Sequence, residues 1–197
     1  MQITEKASNK TVVGKKSMDR IANAMIAEVS KKNLSDITVQ SVIKVAGVAR
    51  KTFYNHFANL DDVISYVFDK VNGDLDIEYF FDLTDKDQVI TQGLLIISDR
   101  IYEHRDVIRI MYLSDLKGYW RDYIYEKYGP VIKNVLFKNF KNCGIPKNTA
   151  AAVYTNIYLA LVEDWLISPI PSNPVEFRQR VFNVLQTTPE DLLYNRS

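Results

Sequence analysis

The stretch that decides the fold is residues 38–57, which read Thr-Val-Gln-Ser-Val-Ile-Lys-Val-Ala-Gly-Val-Ala-Arg-Lys-Thr-Phe-Tyr-Asn-His-Phe. Thr38 stands where a helix N-cap is expected, because its side-chain oxygen can accept a backbone N–H of the first turn. Gly47 supplies the backbone freedom that a tight turn after a helix requires. Between them, apolar residues recur at i, i+3, i+4 and i+7 and predict one face of a short helix: Val39, Val42, Ile43 and Ala46.

A second short helix is predicted from Arg50 to about His56. Phe53 and Phe57 share one face of it, which is typical of core residues, while polar and charged residues occupy the other side. Two helices joined by a Gly-containing turn form a helix-turn-helix, and in its DNA-binding forms the second helix lies in the major groove. Periodicity alone fits an ordinary helical hairpin equally well.

The residue types of this stretch resemble the DNA-binding signature of the TetR (tetracycline-repressor) family of bacterial regulators. The resemblance extends back into the preceding helix and forward to about Asp62, so it covers roughly the first third of the chain. Beyond that point the chain matches only in helical character and length. The residues that carry the resemblance are Thr38–Val39, Ala46–Gly47–Val48 and Thr52–Phe53–Tyr54–Asn55–His56–Phe57, with Ile21, Ala24 and Met25 before them.

The resemblance implies an all-α protein in two parts. Residues 15–74 would form an N-terminal three-helix helix-turn-helix DNA-binding domain, with the motif at about 38–57, and residues 75–197 a C-terminal helical ligand-binding and dimerisation domain. The implied function is that of a transcriptional repressor, which binds a palindromic double-stranded DNA operator as a homodimer and is released by an unknown small-molecule effector. The alternative is a co-regulator or interaction protein of the same fold that lacks sequence-specific DNA binding.

Residues at the start of both motif helices are the predicted DNA contacts. Thr38 can aim backbone N–H groups at a phosphate. Arg50 can read a guanine through a bidentate contact, which discriminates by about 1–3 kcal/mol. The resemblance implies that Tyr54 and His56 contact backbone phosphates. The predicted set is Thr38, Gln40, Arg50, Lys51, Thr52, Tyr54, Asn55 and His56.

Two residues depart from the family pattern. Ala49 stands where Ser or Thr usually caps the second helix, a difference that costs about 1 kcal/mol of local stability. Leu60 stands where a phosphate-contacting lysine is common, which would flatten the salt dependence by roughly one phosphate contact. Lys51, at a position often occupied by Gly, can compensate for the missing charge.

Charge is distributed unevenly along the chain. Residues 1–58 carry ten Lys and Arg against four Asp and Glu, a net charge of +6, whereas the remainder carries 15 basic and 20 acidic residues, a net charge of −5. A basic end joined to an acidic body is expected of a protein that touches phosphates with one end.

Composition places the chain among ordinary globular proteins, with 47% hydrophobic and 25% charged residues. The single cysteine, Cys143, excludes an internal disulfide framework and suits a reducing cytoplasm. No signal peptide and no membrane-length apolar run is present, so a cytoplasmic location without a membrane partner is expected. No acid–base pair, metal-ligand cluster or phosphate loop indicates an enzyme, and no cofactor is expected.

The residues before the motif predict one helix and a tail. Residues 1 to about 14 lack periodicity and predict a disordered tail, although their lysines could also reach DNA. Ser17 is the candidate cap of the first helix, which would run to about Lys32 and end at Asn33 in the left-handed conformation. After the motif, a helix from about Asn59 is predicted to link the two domains.

The body is helical by pattern, with a kink or break predicted at Gly129–Pro130. The helix at 149–167 is apolar on more than one side, so both its own core and a second copy are expected to cover it. The residues assigned to this dimer interface are Tyr154, Leu161, Trp165, Phe177, Val181 and Val184. An aromatic effector pocket is assigned to Tyr102, Trp120, Tyr123, Tyr154, Tyr158 and Glu163, although aromatics at helical spacing also form plain core.

Overall fold

The computed structural model describes residues 2–73, 97–139 and 144–187. This part of the chain is helical and contains no strand, which confirms the all-α prediction. Residues 97–103 are helical, and a 3-10 helix spans Leu34–Asp36. The α-helices are α1 (Gln2–Val29), α2 (Val39–Ala46), α3 (Arg50–Tyr54), α4 (Leu60–Asn72), α5 (Arg105–Tyr112), α6 (Leu116–Asn139), α7 (Lys147–Ile167) and α8 (Pro174–Gln186).

Packing divides the chain into two compact units. The first comprises Met1–Asp74 and Ile110–Trp120, and the second comprises Leu75–Arg109 and Arg121–Ser197. The sequence placed a single boundary after residue 74 and did not indicate that residues 110–120 would join the first unit. No helix among the described residues is long and apolar enough to cross a membrane.

Helix α1 begins at Gln2, so the prediction of a disordered tail before Ser17 was wrong. Ser17 lies inside the helix, and its hydroxyl donates to the carbonyl of Val13 at 3.2 Å instead of capping a helix start. This back-bond to the preceding turn is the usual alternative to capping for a serine. At the other end Asn33 is extended (φ −64°, ψ 146°) rather than left-handed.

The core of the first unit joins α1 through α4 with the segment 110–120. Trp120, assigned from the sequence to an effector pocket, is buried in this core and packs edge-on against Phe68 at a ring-centroid distance of 5.3 Å. Each fully buried large side chain contributes about 1.5–3 kcal/mol. The fully buried large residues of this unit are Ile21, Met25, Val42, Phe53, Val63, Met111 and Leu116.

The second unit is built around Trp165 of α7. Its ring stacks on Phe177 of α8 at 3.9 Å and on Tyr102 at 5.7 Å, and its indole Nε1 donates to the carbonyl of Ser172 at 2.7 Å. The guanidinium of Arg105 lies 4.7 Å from the Tyr102 ring centroid. Gly129 and Pro130 lie inside α6, so they do not break this helix, and the other predicted outcome, a kink, stays a prediction.

Candidate nucleic-acid interface

Helix α2 is closed at both ends by the residues predicted for those positions. Thr38 Oγ1 accepts the backbone N–H of Ser41 at 3.1 Å, and Ser41 Oγ accepts that of Thr38 at 3.3 Å, which forms a reciprocal capping box. At the C-terminal end Gly47 is left-handed, with φ 61° and ψ 40°. The backbone N–H of Val48 donates to the carbonyl of Ile43 at 3.1 Å and completes the turn.

Arg20 of α1 holds this turn from outside the motif. Its Nη2 donates to the carbonyl of Gly47 at 2.9 Å. A Cβ added to Gly47 would lie 2.9 Å from the same nitrogen, a distance at which one of the two groups must move. The left-handed backbone is what favours glycine at this position, because Arg20 Nη2 ends a flexible side chain that can move away from an added Cβ.

Helix α3 is fixed to the core by its two phenylalanines. Phe53 is fully buried, Phe57 is almost so, and their ring centroids lie 5.9 Å apart. Both are core residues, as predicted, and do not project toward a DNA groove. Ala49 occupies the N-cap of α3 in an extended conformation and makes no side-chain cap bond. The first turn of α3 therefore lacks the hydroxyl that would satisfy one of its N–H groups.

The residues predicted to contact DNA all keep solvent-accessible side chains. Six of them are exposed (Thr38, Gln40, Arg50, Lys51, Tyr54 and Asn55), and Thr52 and His56 are half-buried. The Arg50 guanidinium lies 5.6 Å from the Tyr54 ring centroid, within the range of a cation–π contact. That arrangement pre-positions a cation on the outer side of α3.

His56 lies beside α1. A Cβ built on Gly14 would meet His56 Cε1 at 3.5 Å, an ordinary van der Waals distance, so this part of α1 passes close to the imidazole edge. His56 also packs against Phe57, with ring centroids 6.4 Å apart. No local pattern predicts this contact, because Gly14 was expected to lie in a disordered tail.

A polar cluster that the sequence did not reveal ties α1 to α4. Asp19 Oδ1 accepts hydrogen bonds from Lys70 Nζ at 2.8 Å and from Tyr66 Oη at 3.0 Å. The Lys70 hydrogen bond, followed by smaller contributions, holds the pKa of Asp19 below its ordinary value. Burial, together with the Asp19 contact, raises the pKa of Tyr66 to about 12. The donors lie 47 and 51 residues from Asp19, so no local pattern indicates the cluster.

Glu28, near the end of α1, is a buried carboxylate. Lys32 Nζ donates to it at 2.7 Å, and this hydrogen bond, with a smaller one from Ser41, lowers the pKa of Glu28.

The body residues assigned to an effector pocket have different surroundings within the described part of the chain. Tyr102 belongs to the Trp165 stack, and Tyr158 meets Phe177 edge-on at 6.3 Å, so both are part of core packing. Lys127 donates to the hydroxyl of Tyr123 at 2.6 Å. Tyr154 is exposed and Glu163 half-buried. The described depression at the end of α7 has a different lining, which includes Asp164, Ile170, Glu176 and Arg180.

The residues assigned to a dimer interface divide into two groups. Trp165, Phe177 and Val181 are at most 1% exposed in the isolated protomer, so they have no side-chain surface left for a second copy. This corrects their assignment, because the protomer's own core covers them. Tyr154, Val184 and, in part, Leu161 remain accessible. Other large apolar side chains exposed on the described parts of α7 and α8 are Val153, Ile167, Val175 and Phe182.

A capped helix, a left-handed glycine turn and a second helix with an exposed basic start define a helix-turn-helix transcription regulator. Residues 88–187 match a TetR family model described as "Transcriptional regulator C-terminal region", which spans half of the chain. The chain belongs to the TetR family of transcriptional regulators. No functionally curated protein matches it.

Solved structures share the fold. A TetR transcriptional regulator from Streptococcus agalactiae is similar over 92% of this chain and 99% of its own, with a TM-score of 0.61 and 20% identity. A putative TetR-family regulator from Syntrophomonas wolfei is similar over 86% of this chain and 93% of its own, with a TM-score of 0.64 and 17% identity. The dihydroxyacetone kinase operon activator DhaS is also similar over 86% of this chain and 93% of its own, with a TM-score of 0.54 and 16% identity.

Proposed function

We propose that this protein represses transcription by binding a palindromic operator as a homodimer, and that an effector in the C-terminal region releases it. The observation that carries the proposal is the outer side of α3. Arg50, Lys51, Tyr54 and Asn55 are exposed there, while Phe53 anchors the helix from its inner side. A short helix held this rigidly can present its first residues to base edges in the major groove.

Base reading and phosphate contact are assigned to different residues. Arg50 is the candidate for a guanine contact, because its guanidinium can bind the O6 and N7 acceptors together. The remaining predicted DNA contacts have exposed or half-buried side chains: Gln40, Lys51, Thr52 and Asn55. Thr38, Tyr54 and His56 are assigned to backbone phosphates, which fix register without reading sequence.

The homodimer is supported by exposed apolar surface on the last two helices. Val153 and Tyr154 of α7, with Phe182 and Val184 of α8, are each more than 40% exposed. Exposed large apolar residues favour a protein–protein interface where they form one patch, as we expect of these four. A two-fold dimer places two recognition helices on half-sites one helical turn apart or a multiple of it.

Effector release follows from linkage between two sites. An effector lowers operator affinity if it binds better to a conformation in which the two DNA-binding domains have the wrong spacing for the operator. The operator then lowers effector affinity by the same factor. Of the six residues assigned to an effector, Tyr154 is exposed, and Tyr102, Tyr123, Tyr158 and Glu163 are half-buried. Trp120 is withdrawn from this set because it belongs to the core of the first unit.

The co-regulator alternative draws support from Ala49, which leaves α3 without a side-chain cap. An Arg50→Ala, Tyr54→Ala double variant separates the two functions. It is compared with wild type by fluorescence anisotropy on the intergenic DNA upstream of the coding sequence and on scrambled DNA of the same length. Repression through the operator predicts that wild type prefers the intergenic DNA and that the variant loses this preference. A wild-type protein with equal affinity for both DNAs would contradict it.

A further inference from the structure

Asp115 caps the connection between α1 and α2 from a distant part of the sequence. Its Oδ2 accepts the backbone N–H of Leu34 at 2.8 Å, across 81 residues. Leu34 opens the 3-10 helix, and Asn33, at the N-cap position, makes no side-chain cap bond. The first N–H groups of a helix need an acceptor, and a carboxylate is a strong one. Asp115 therefore performs the capping that Asn33 does not.

A short path leads from this cap to the operator-binding side of α2. The carbonyl of Leu34 accepts the N–H of Ile37 at 3.1 Å, so both sides of the Leu34 residue are hydrogen-bonded. The Ile37 side chain is buried, and the next residue is Thr38, which caps α2. A displacement of Leu34 would consequently reach the N-terminus of α2 within four residues.

Asp115 is itself held firmly by the segment that connects α5 and α6. Its neighbours Met111 and Leu116 are almost fully buried in the first unit. Ser114 Oγ donates to the carbonyl of Met111 at 3.3 Å and accepts the N–H of Leu116 at 3.3 Å. The whole segment lies within residues 88–187, which match the C-terminal region of transcriptional regulators.

We propose that Asp115 is the positioning residue through which the C-terminal region sets the α1–α2 connection and thereby the operator-binding conformation of α2. This inference rests on the proposed function, since it concerns the regulation of that same DNA-binding site. The route that we propose runs from Asp115 through Leu34 and Ile37 to Thr38, the cap of α2. Because coupling is reciprocal, operator binding must also stabilise the segment that contains Asp115.

The test compares Asp115→Ala with Asp115→Asn, whose amide oxygen can still accept the Leu34 N–H. The control is Asp36→Ala, which removes an exposed acidic side chain from the 3-10 helix itself. Amide hydrogen exchange at Leu34 and anisotropy on operator and scrambled DNA are measured for each. Loss of one charge-assisted hydrogen bond predicts Leu34 exchange about tenfold faster in Asp115→Ala.

Operator affinity is expected to fall severalfold in Asp115→Ala and to stay near wild type in Asp115→Asn. Affinity for scrambled DNA should not fall, because removing a negative charge weakens repulsion from phosphates. Operator DNA should slow amide exchange at residues 111–116 in wild type but not in Asp115→Ala. A structural contact without coupling would leave that exchange unaffected by DNA.

Unchanged Leu34 exchange and operator affinity in Asp115→Ala would overturn the inference. Equal effects of Asp115→Ala and Asp36→Ala would also overturn it, since charge rather than capping would then be responsible. If the wild-type protein binds operator and scrambled DNA equally, the proposed function fails. Amide exchange at Leu34 still decides whether Asp115 stabilises the α1–α2 connection.

Discussion

Gly47 and Gly118 are expected to respond in opposite directions to alanine. Gly47 has φ 61° and faces Arg20 Nη2, so Gly47→Ala should destabilise the fold by about 1–3 kcal/mol. Gly118 lies in α6 with no heavy atom within 4 Å of an added Cβ, so Gly118→Ala should be neutral or stabilising by up to about 1 kcal/mol. Urea unfolding of both variants measures the difference. Equal losses in the two would contradict the role given to the Gly47 turn.

Asp19 predicts a specific acid dependence of stability. The Lys70 hydrogen bond lowers its folded pKa below the unfolded value of 3.8. Its contribution is therefore present above pH 3.8 and lost as the pH falls through the folded pKa. The free energy of unfolding, measured between pH 5 and pH 2 (about the range in which carboxylates titrate), should fall less steeply in Asp19→Asn than in wild type.

The control for Asp19→Asn is Asp36→Asn, which removes an exposed carboxylate from the same unit. Its stability profile should follow that of wild type. If Asp19→Asn does so as well, the Lys70 and Tyr66 contacts do not stabilise the α1–α4 packing.

At the scale of the helix, Ala49 leaves the N-terminus of α3 without a side-chain cap, so a substitution there can raise its stability. Its extended backbone, with φ −72° and ψ 150°, suits an N-cap residue, but its side chain cannot accept a hydrogen bond. Ala49→Ser should raise the free energy of unfolding by about 0.5–2 kcal/mol, because the new hydroxyl can accept an N–H of the first turn. Ala49→Val serves as the control, since it adds volume without an acceptor. Equal stability of the two variants would show that the start of α3 needs no cap.

The elements that local sequence signals predict are those whose partners are near in the chain. Thr38 caps through Ser41, and Gly47 ends α2, so residue type and spacing are sufficient there. Asp19 with Lys70, and Asp115 with Leu34, are joined only by the tertiary fold, and no periodicity points to them. The tail prediction failed because residues 2–14 lack the apolar period by which a helix is recognised, whereas the rest of α1 carries it at Ile21 and Met25.

Trp165 shows a second limit of sequence reasoning. An apolar helix such as α7 must be covered on several sides, but its pattern does not say which side belongs to its own protomer. The structure covers Trp165 with Phe177 and leaves Val153 accessible. The packing of Trp120 in the first unit was likewise not predicted, because its neighbour Phe68 is distant in sequence.

For the whole molecule, the exposed apolar residues of α7 and α8 predict the surface used for dimerisation. Phe182→Glu should shift the protein from dimer toward monomer, because it places a charge in an apolar contact. Ile145→Glu is the matched control, since Ile145 is similarly exposed, at 52% against 46%, but lies before α7. Sedimentation velocity over a range of protein concentrations measures both. A dimer unaffected by Phe182→Glu would place the interface elsewhere.

The central claim is that two identical recognition helices read one palindromic operator. It is tested most directly by anisotropy titration of the wild-type protein on the operator and on the same DNA with one half-site scrambled. We predict two protomers bound to the intact operator and an affinity at least about tenfold lower on the half-scrambled DNA, because one set of base contacts is lost. Equal affinity for both DNAs, or one protomer bound to each, would contradict it.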